Sequence, residues 1–168
     1  MVEKMPLKRE YSAGGIVYKK VNPPAGGSKF PASAGSRKRR DKVDEVLWLV
    51  AQHSQHKGWV FPKGIIGDTK KDEKAHQTAV REVKEETGVE GKIITKLKKP
   101  VSYFYVWSGE KRLKTVYYFL MQYAKGSIKN HDHEMSAVEW LPTDEVMKKL
   151  TYKSDKEAFE EALKILRT

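Results

Sequence analysis

Between Gly67 and Val89 the chain reads GDTKKDEKAHQTAVREVKEETGV and carries six acidic side chains. Glu82, Glu85 and Glu86 stand three and four residues apart, a spacing that shares one face of a helix. Ala75, Ala79 and Val83 recur at i, i+4 and i+8 and give the opposite face a narrow apolar stripe, suited to packing on a sheet. Carboxylates so crowded repel one another by about a few tenths of a kcal/mol per pair. A plain surface helix relieves that cost by splaying its side chains into water. A metal site exploits it, because hard cations such as Mg²⁺ or Mn²⁺ take several anionic oxygens. The helix is expected to start near Asp72, with Thr69 and Asp72 at capping-box spacing, and to end at Gly88.

The surroundings of these glutamates favour the second reading. Gly67 is followed after five residues by Glu73, then after seven by Arg81-Glu82-Val83, then by Glu85-Glu86 and Gly88-Val89. This order resembles the Nudix box of the Nudix hydrolases at every fixed position. The resemblance implies an α+β Nudix fold, a mixed central β-sheet sandwiched between helices (α/β/α). It also implies hydrolysis of a nucleoside diphosphate linked to another group. It makes Glu82, Glu85 and Glu86 ligands of Mg²⁺, with Mn²⁺ as an alternative, and Arg81 the group that orients a carboxylate.

Upstream, the string WVFPKG (Trp59–Gly64) resembles the segment before the catalytic helix in the Nudix subfamily that cleaves dinucleoside polyphosphates. That likeness makes Lys63 a phosphate contact and its backbone carbonyl a metal ligand. Here the chain departs from the pattern. Gly64 is eight residues short of Glu73, while Gly67 supplies the usual interval, so either glycine could serve beside the metal; Gly64 is the expected structural equivalent. Downstream, KTVYYF resembles the strand in which that subfamily stacks an adenine on a tyrosine, which falls on Tyr118, with Tyr103 as a further candidate. Aromatic faces accept any base. Arg9 and Tyr11, at the entrance of the first strand, are placed to touch substrate. Glu134, six residues before Trp140, resembles a further metal-binding or base glutamate. The general base is Glu82 or Glu134.

The rest of the chain supplies a scaffold. Tyr11–Lys20 reads as a first strand. Val46–Val50 is a short apolar run typical of a strand buried on both faces. Residues 91–123 are rich in β-branched and aromatic side chains, with a turn at Ser108–Glu110. Two closing helices are expected, Asp144–Leu150 capped by Thr143, and one over about 154–167 with Ser154 and Glu157 as a capping box. Residues 22–42 lack periodicity and close on the basic run RKRRDK.

With 168 residues the chain is long enough for one domain with a substantial core. It has no cysteine, which excludes disulfides and thiolate metal sites. No run approaches the ~18–20 apolar residues of a membrane helix, and no partner membrane is expected. The N-terminus lacks a signal-type apolar core, so a cytoplasmic location is expected. A net charge of +11 attracts polyanions without choosing among them. The leading expectation is a nucleotide substrate, diadenosine tetraphosphate cleaved to ATP and AMP. The alternatives are an inositol pyrophosphate, a nucleoside triphosphate, the 5′ end of RNA (possible but not favoured), or a Nudix-fold module that binds without cleaving. A monomer or a dimer is equally compatible.

Overall fold

A computed structural model describes residues 5–22 and 45–168; the basic stretch expected to form a loop at 22–42 therefore lies, apart from Asn22, outside the described residues. Two long strands make the spine. β1 (Lys8–Val21) runs parallel to β7 (Glu110–Gly126), pairing Lys8–Tyr18 with Arg112–Gln122. β2 (Glu45–His53) joins the other edge of β1, and β3 (Trp59–Val60) and β8 (Met135–Pro142) pair with β2. The short β4 (Lys63–Ile65) also pairs with β1, while β5 (Val89–Lys96) and β6 (Val101–Trp107) share the outer edge of β7. The sheet is mixed because all pairs but β1–β7 are antiparallel.

Strand alternation sorts the core into two layers. From β1, Ile16 and Tyr18 point to one face, and Ala13 and Val17 to the other. From β2, Trp48 and Val50 join the first layer, and Leu49 and Ala51 the second. The first layer is covered by α2 (Thr143–Lys149) and α3 (Lys153–Arg167), the second by α1 (Ala75–Thr87). The α/β/α arrangement is the one the sequence implies. Ala79 and Val83 of the apolar stripe are fully buried, and Ala75 packs beside them; Glu82 and Glu86 are buried on the same face, which corrects the expectation that the stripe lies opposite the glutamates.

The helix ends differ from expectation in informative ways. α1 begins at Ala75, not near Asp72, because Asp72 has a left-handed backbone (φ 66°) that no helix accommodates. Gln77 closes the first turn by accepting the Lys74 N–H at 2.9 Å. Gly88 ends the helix at φ 76°, as expected. Thr143 does not cap α2; its hydroxyl accepts the Trp48 indole N–H at 2.9 Å, satisfying a donor buried in the core. Ser154 lies inside α3, whose N-cap is Tyr152 with no side-chain cap bond. α3 is anchored instead by Phe159, fully buried edge-on against Trp48 at 5.0 Å, and by Glu161, which accepts the Lys98 and Lys99 N–H groups. No described helix is long and apolar enough to cross a membrane.

Tyr118 belongs to this core and not to a binding surface. It is 2% exposed, lies edge-on to Phe61, and donates its hydroxyl to Asp155 at 2.7 Å. No ring face is left for a base, which corrects the expected stacking role. Burial and the neighbouring Asp155 carboxylate push the phenol well above its ordinary range. Tyr118→Phe would leave Asp155, itself 2% exposed, without that donor. Urea denaturation is expected to show a loss of about 1–3 kcal/mol.

Candidate active site

The acidic face of α1 is divided between an exposed half and a buried half. Glu85 points to solvent, whereas Glu82 is 7% and Glu86 5% exposed. Both buried carboxylates sit under β4. The Lys63 N–H donates to Glu86 Oε2 at 3.0 Å, and Gly64 lies against Glu82 so closely that an added Cβ would stand 2.0 Å from Oε1. Only glycine admits the carboxylate there. Gly67 has no such contact. It is a turn residue at φ 78°, and a Cβ would meet only the Lys70 carbonyl at 3.8 Å. Of the two glycines, it is Gly64 that lies against a glutamate of the helix, and the three extra residues precede the helix.

Arg81 knits the face together. Its guanidinium donates to Glu73 twice at 2.9 Å, to Glu82 at 2.8 Å, to Glu85 at 3.0 Å and to Asp68 at 3.1 Å. The bonds to Glu73 lead in holding the Arg81 proton on more tightly than usual, and they hold Glu73 below its ordinary value. Glu82 behaves oppositely: burial pushes it up to about 7, even against the pull of Arg81. Burial also pushes Glu86 well above the ordinary carboxylate range, with Glu82 and Glu134 adding to the effect and Lys63 opposing it.

Beyond Glu86 opens a cavity of about 210 Å³. Lys63, Lys114, Tyr103, His53, His56 and Glu134 line it with Glu86. Lys63, Glu86, Tyr103 and Glu134, drawn from four separate stretches of sequence, are thereby brought together. Burial first, and then the nearby Lys63, lower Lys114, with Glu10 and Glu86 opposing them. For Lys63, burial acts downward but Asp155, Tyr103 and Glu86 outweigh it. His53 and His56 stack at 4.2 Å, and the Tyr152 hydroxyl meets His56 Nδ1 at 3.0 Å. Arg9 is not brought to the cavity: it is exposed, and alternation along β1 turns it to the face opposite Glu10 and Lys114. Lys114, His53, His56 and Tyr152 were missed as site residues. Lys114 stands inside the KTVYYF string, and strand parity with Val116 and Tyr118 would have put it on the inward row. A larger hollow of about 340 Å³ beside Trp48 and the end of α3 contains no carboxylate in its lining and is remote from this chemistry.

A family model for the NUDIX domain matches residues 30–162. The chain belongs to the Nudix family. Among curated Nudix relatives, the MutT4 protein of Mycobacterium tuberculosis is 32% identical over 161 residues, which is 95% of this chain and 56% of that protein. Nudix hydrolase 6 of Arabidopsis thaliana is 30% identical over 129 residues, 70% of this chain and 43% of that one. The chain thus spans about half the length of the curated relatives it matches. Among solved structures, the C. elegans Ap4A hydrolase binary complex has a TM-score of 0.62 at 20% identity, covering 94% of this chain and 98% of that one. The NUDIX domain of Shewanella oneidensis NrtR complexed with ADP ribose has a TM-score of 0.62 at 22% identity, covering 98% and 90%. At such identities the likeness establishes the Nudix fold.

The donor set suits a divalent ion. Glu82 and Glu86 are acidic oxygens held largely out of water, with Gly64 clearing space beside one of them. As the side chains stand, Arg81 holds oxygens of Glu82 and Glu85, and no group of three metal-binding side chains converges among the described residues. A cation would have to compete with that guanidinium. This gives a stability prediction. Glu82 and Glu86 both have folded pKa values above the ordinary 4.5, so between 4.5 and about 7 the folded state holds more protons than the unfolded. The Glu82 contribution is fully present below 4.5 and is lost as pH rises through about 7, and the Glu86 contribution is lost in the same direction, as pH rises. Metal-free protein should therefore melt at a lower temperature at pH 8 than at pH 5.5. Mg²⁺ should raise Tm more at pH 8, since the ion needs the deprotonated carboxylates. Calorimetry on wild type and Glu82→Gln checks both parts, the variant showing the weaker pH dependence.

Proposed function

We propose that this chain is a metal-dependent pyrophosphohydrolase that cleaves a phosphoanhydride in a dinucleoside polyphosphate, with diadenosine tetraphosphate giving ATP and AMP as the reference reaction. The observation that carries the reading is the cavity in which two lysines, Lys63 and Lys114, face the buried Glu86 end of the acidic helix. Phosphates need cations and the bound metal needs carboxylates, and the cavity wall offers both within one 210 Å³ space. Glu82, Glu85 and Glu86 would hold Mg²⁺ or Mn²⁺, with the Lys63 carbonyl as a further ligand. When bound, the ion neutralises phosphate charge and acidifies a water.

The chain's own groups do the remaining work. Lys63 and Lys114 clamp the phosphate chain and relieve their mutual repulsion on doing so. Arg81 fixes the orientation of Glu82 and Glu85 through charge-assisted bonds. Tyr103 offers its ring at the cavity for the first base, with Tyr152 behind His56 on the same side. Glu134 is favoured over Glu82 as the group that takes the proton from the attacking water. Its carboxylate reaches the cavity and has no ion pair among the described residues, whereas Glu82 is held by Arg81.

The test is product analysis. The protein is incubated with diadenosine tetraphosphate and Mg²⁺, and separately with a nucleoside triphosphate, an inositol pyrophosphate and triphosphorylated RNA, and products are resolved by ion exchange. ATP plus AMP should form fastest, and EDTA should abolish turnover. Glu86→Gln is expected to lose about 100-fold in rate, on the scale of losses from damaged metal sites. An intact dinucleotide beside a consumed alternative overturns the substrate assignment, and near wild-type turnover by Glu86→Gln at saturating Mg²⁺ overturns the role of that residue.

A further inference from the structure

The β6–β7 hairpin carries a row of aromatic rings that starts at the cavity with Tyr103 and continues beyond it to Tyr105 and Trp107, which the proposed chemistry does not use. Tyr103, Tyr105 and Trp107 alternate along β6 and therefore share one face. Their partners on β7 are Lys114, Arg112 and Glu110. β1 continues the same row, with Glu10 beside Lys114 and Lys8 beside Arg112. The rings thus lead outward from the cavity, where Tyr103 and Lys114 stand, to the hairpin tip, a distance of about 13 Å from Tyr103 to Trp107 at the usual strand rise.

The row is braced. Tyr103 and Tyr105 have ring centroids 6.4 Å apart, and the Lys114 ammonium lies 5.3 Å from the Tyr105 centroid. Glu10, largely buried, accepts from both the Tyr105 hydroxyl and Arg112, and Arg112 reaches Glu110 at 3.1 Å. So held, the Arg112 guanidinium sits over Trp107 at 4.7 Å. One face of the indole is covered by a cation, yet Trp107 remains 60% exposed, so the other face is open. An indole this large is seldom left in water at a strand end for packing reasons, and a rigid one costs little entropy to engage.

We infer that the open face of Trp107, backed by Arg112, is a stacking subsite for the second nucleoside of a dinucleoside polyphosphate. The first end occupies the cavity at Tyr103, and the phosphates run outward along the Lys63–Lys114–Arg112 cations. A base on Trp107 completes a guanidinium–indole–base stack. The inference rests on the reading under Proposed function and specifies where the far end of that substrate lies.

Two ligands of equal phosphate number separate the subsite from the cavity: methylene-bridged diadenosine tetraphosphate and methylene-bridged adenosine tetraphosphate, which resist hydrolysis and differ only in the second nucleoside. Each is titrated calorimetrically at saturating Mg²⁺ into wild type, Trp107→Ala and Trp107→Phe. Trp107 is exposed, so both variants should fold, and their melting temperatures confirm it. Trp107→Ala should weaken the dinucleotide about tenfold, within the range for loss of one base stack, while the mononucleoside ligand changes less than twofold. Trp107→Phe should recover most of the difference. Equal losses for both ligands, or no loss for either, overturn the subsite and leave the proposed reaction standing. Wild type that binds neither ligand overturns the proposed function itself, and the subsite with it.

Discussion

Burying a carboxylate costs several kcal/mol unless other groups compensate, and this protein buries two on one helix face. The rest of the architecture is arranged around that cost. Ala79 and Val83, buried on the same side of α1 as the two glutamates, hold that face against the sheet, so Glu82 and Glu86 cannot swing into water. β4 meets them with a backbone N–H and a glycine, and Arg81 supplies the nearest positive charge. The compensation is incomplete, since both groups remain above the ordinary carboxylate range. A site left short of positive charge in a water-poor setting is a natural receiver for a divalent cation.

The same incompleteness shapes the cavity next door. Lys63 disfavours the charge on Lys114, while Glu86 in the wall favours the charge on both lysines. Buried acidic oxygens on the helix thus adjoin ammonium groups on the strands. Metal and polyphosphate, each unfavourable to hold alone, would satisfy the two halves together. On the proposed reading, the net charge of +11 would favour the approach of a polyanion at longer range.

Much of this was legible in the sequence. The spacing of three glutamates and the Ala75–Ala79–Val83 stripe mark α1, though Glu82 and Glu86 share the buried face with the stripe and do not lie opposite it, and the apolar run through Trp48 marks a strand buried on both sides. What could not be read was long-range. Tyr118 and Tyr103 are both strand tyrosines, and only the packing of α3, with Asp155 under one of them, decides that Tyr118 is core. Thr143 looks like a cap until Trp48, distant in sequence, claims its hydroxyl. Gly64 and Gly67 were separable only by the carboxylate lying against the first. Arg9 failed on strand parity, because a one-residue offset from Glu10 puts it on the wrong face of the sheet. Local periodicity fixes elements and faces, whereas a side chain's partner depends on which other element arrives.

The claim on which the account depends is that the buried glutamates of α1 are the seat of a divalent ion beside the lysine cavity. Crystals soaked in Mn²⁺ and methylene-bridged diadenosine tetraphosphate, with anomalous difference maps collected at the manganese edge, test it directly. The account predicts a manganese peak within bonding distance of Glu82 and Glu86 oxygens, with phosphate density reaching Lys63 and Lys114. Manganese bound elsewhere, with Arg81 still paired to Glu82 and the cavity empty of phosphate, would contradict it.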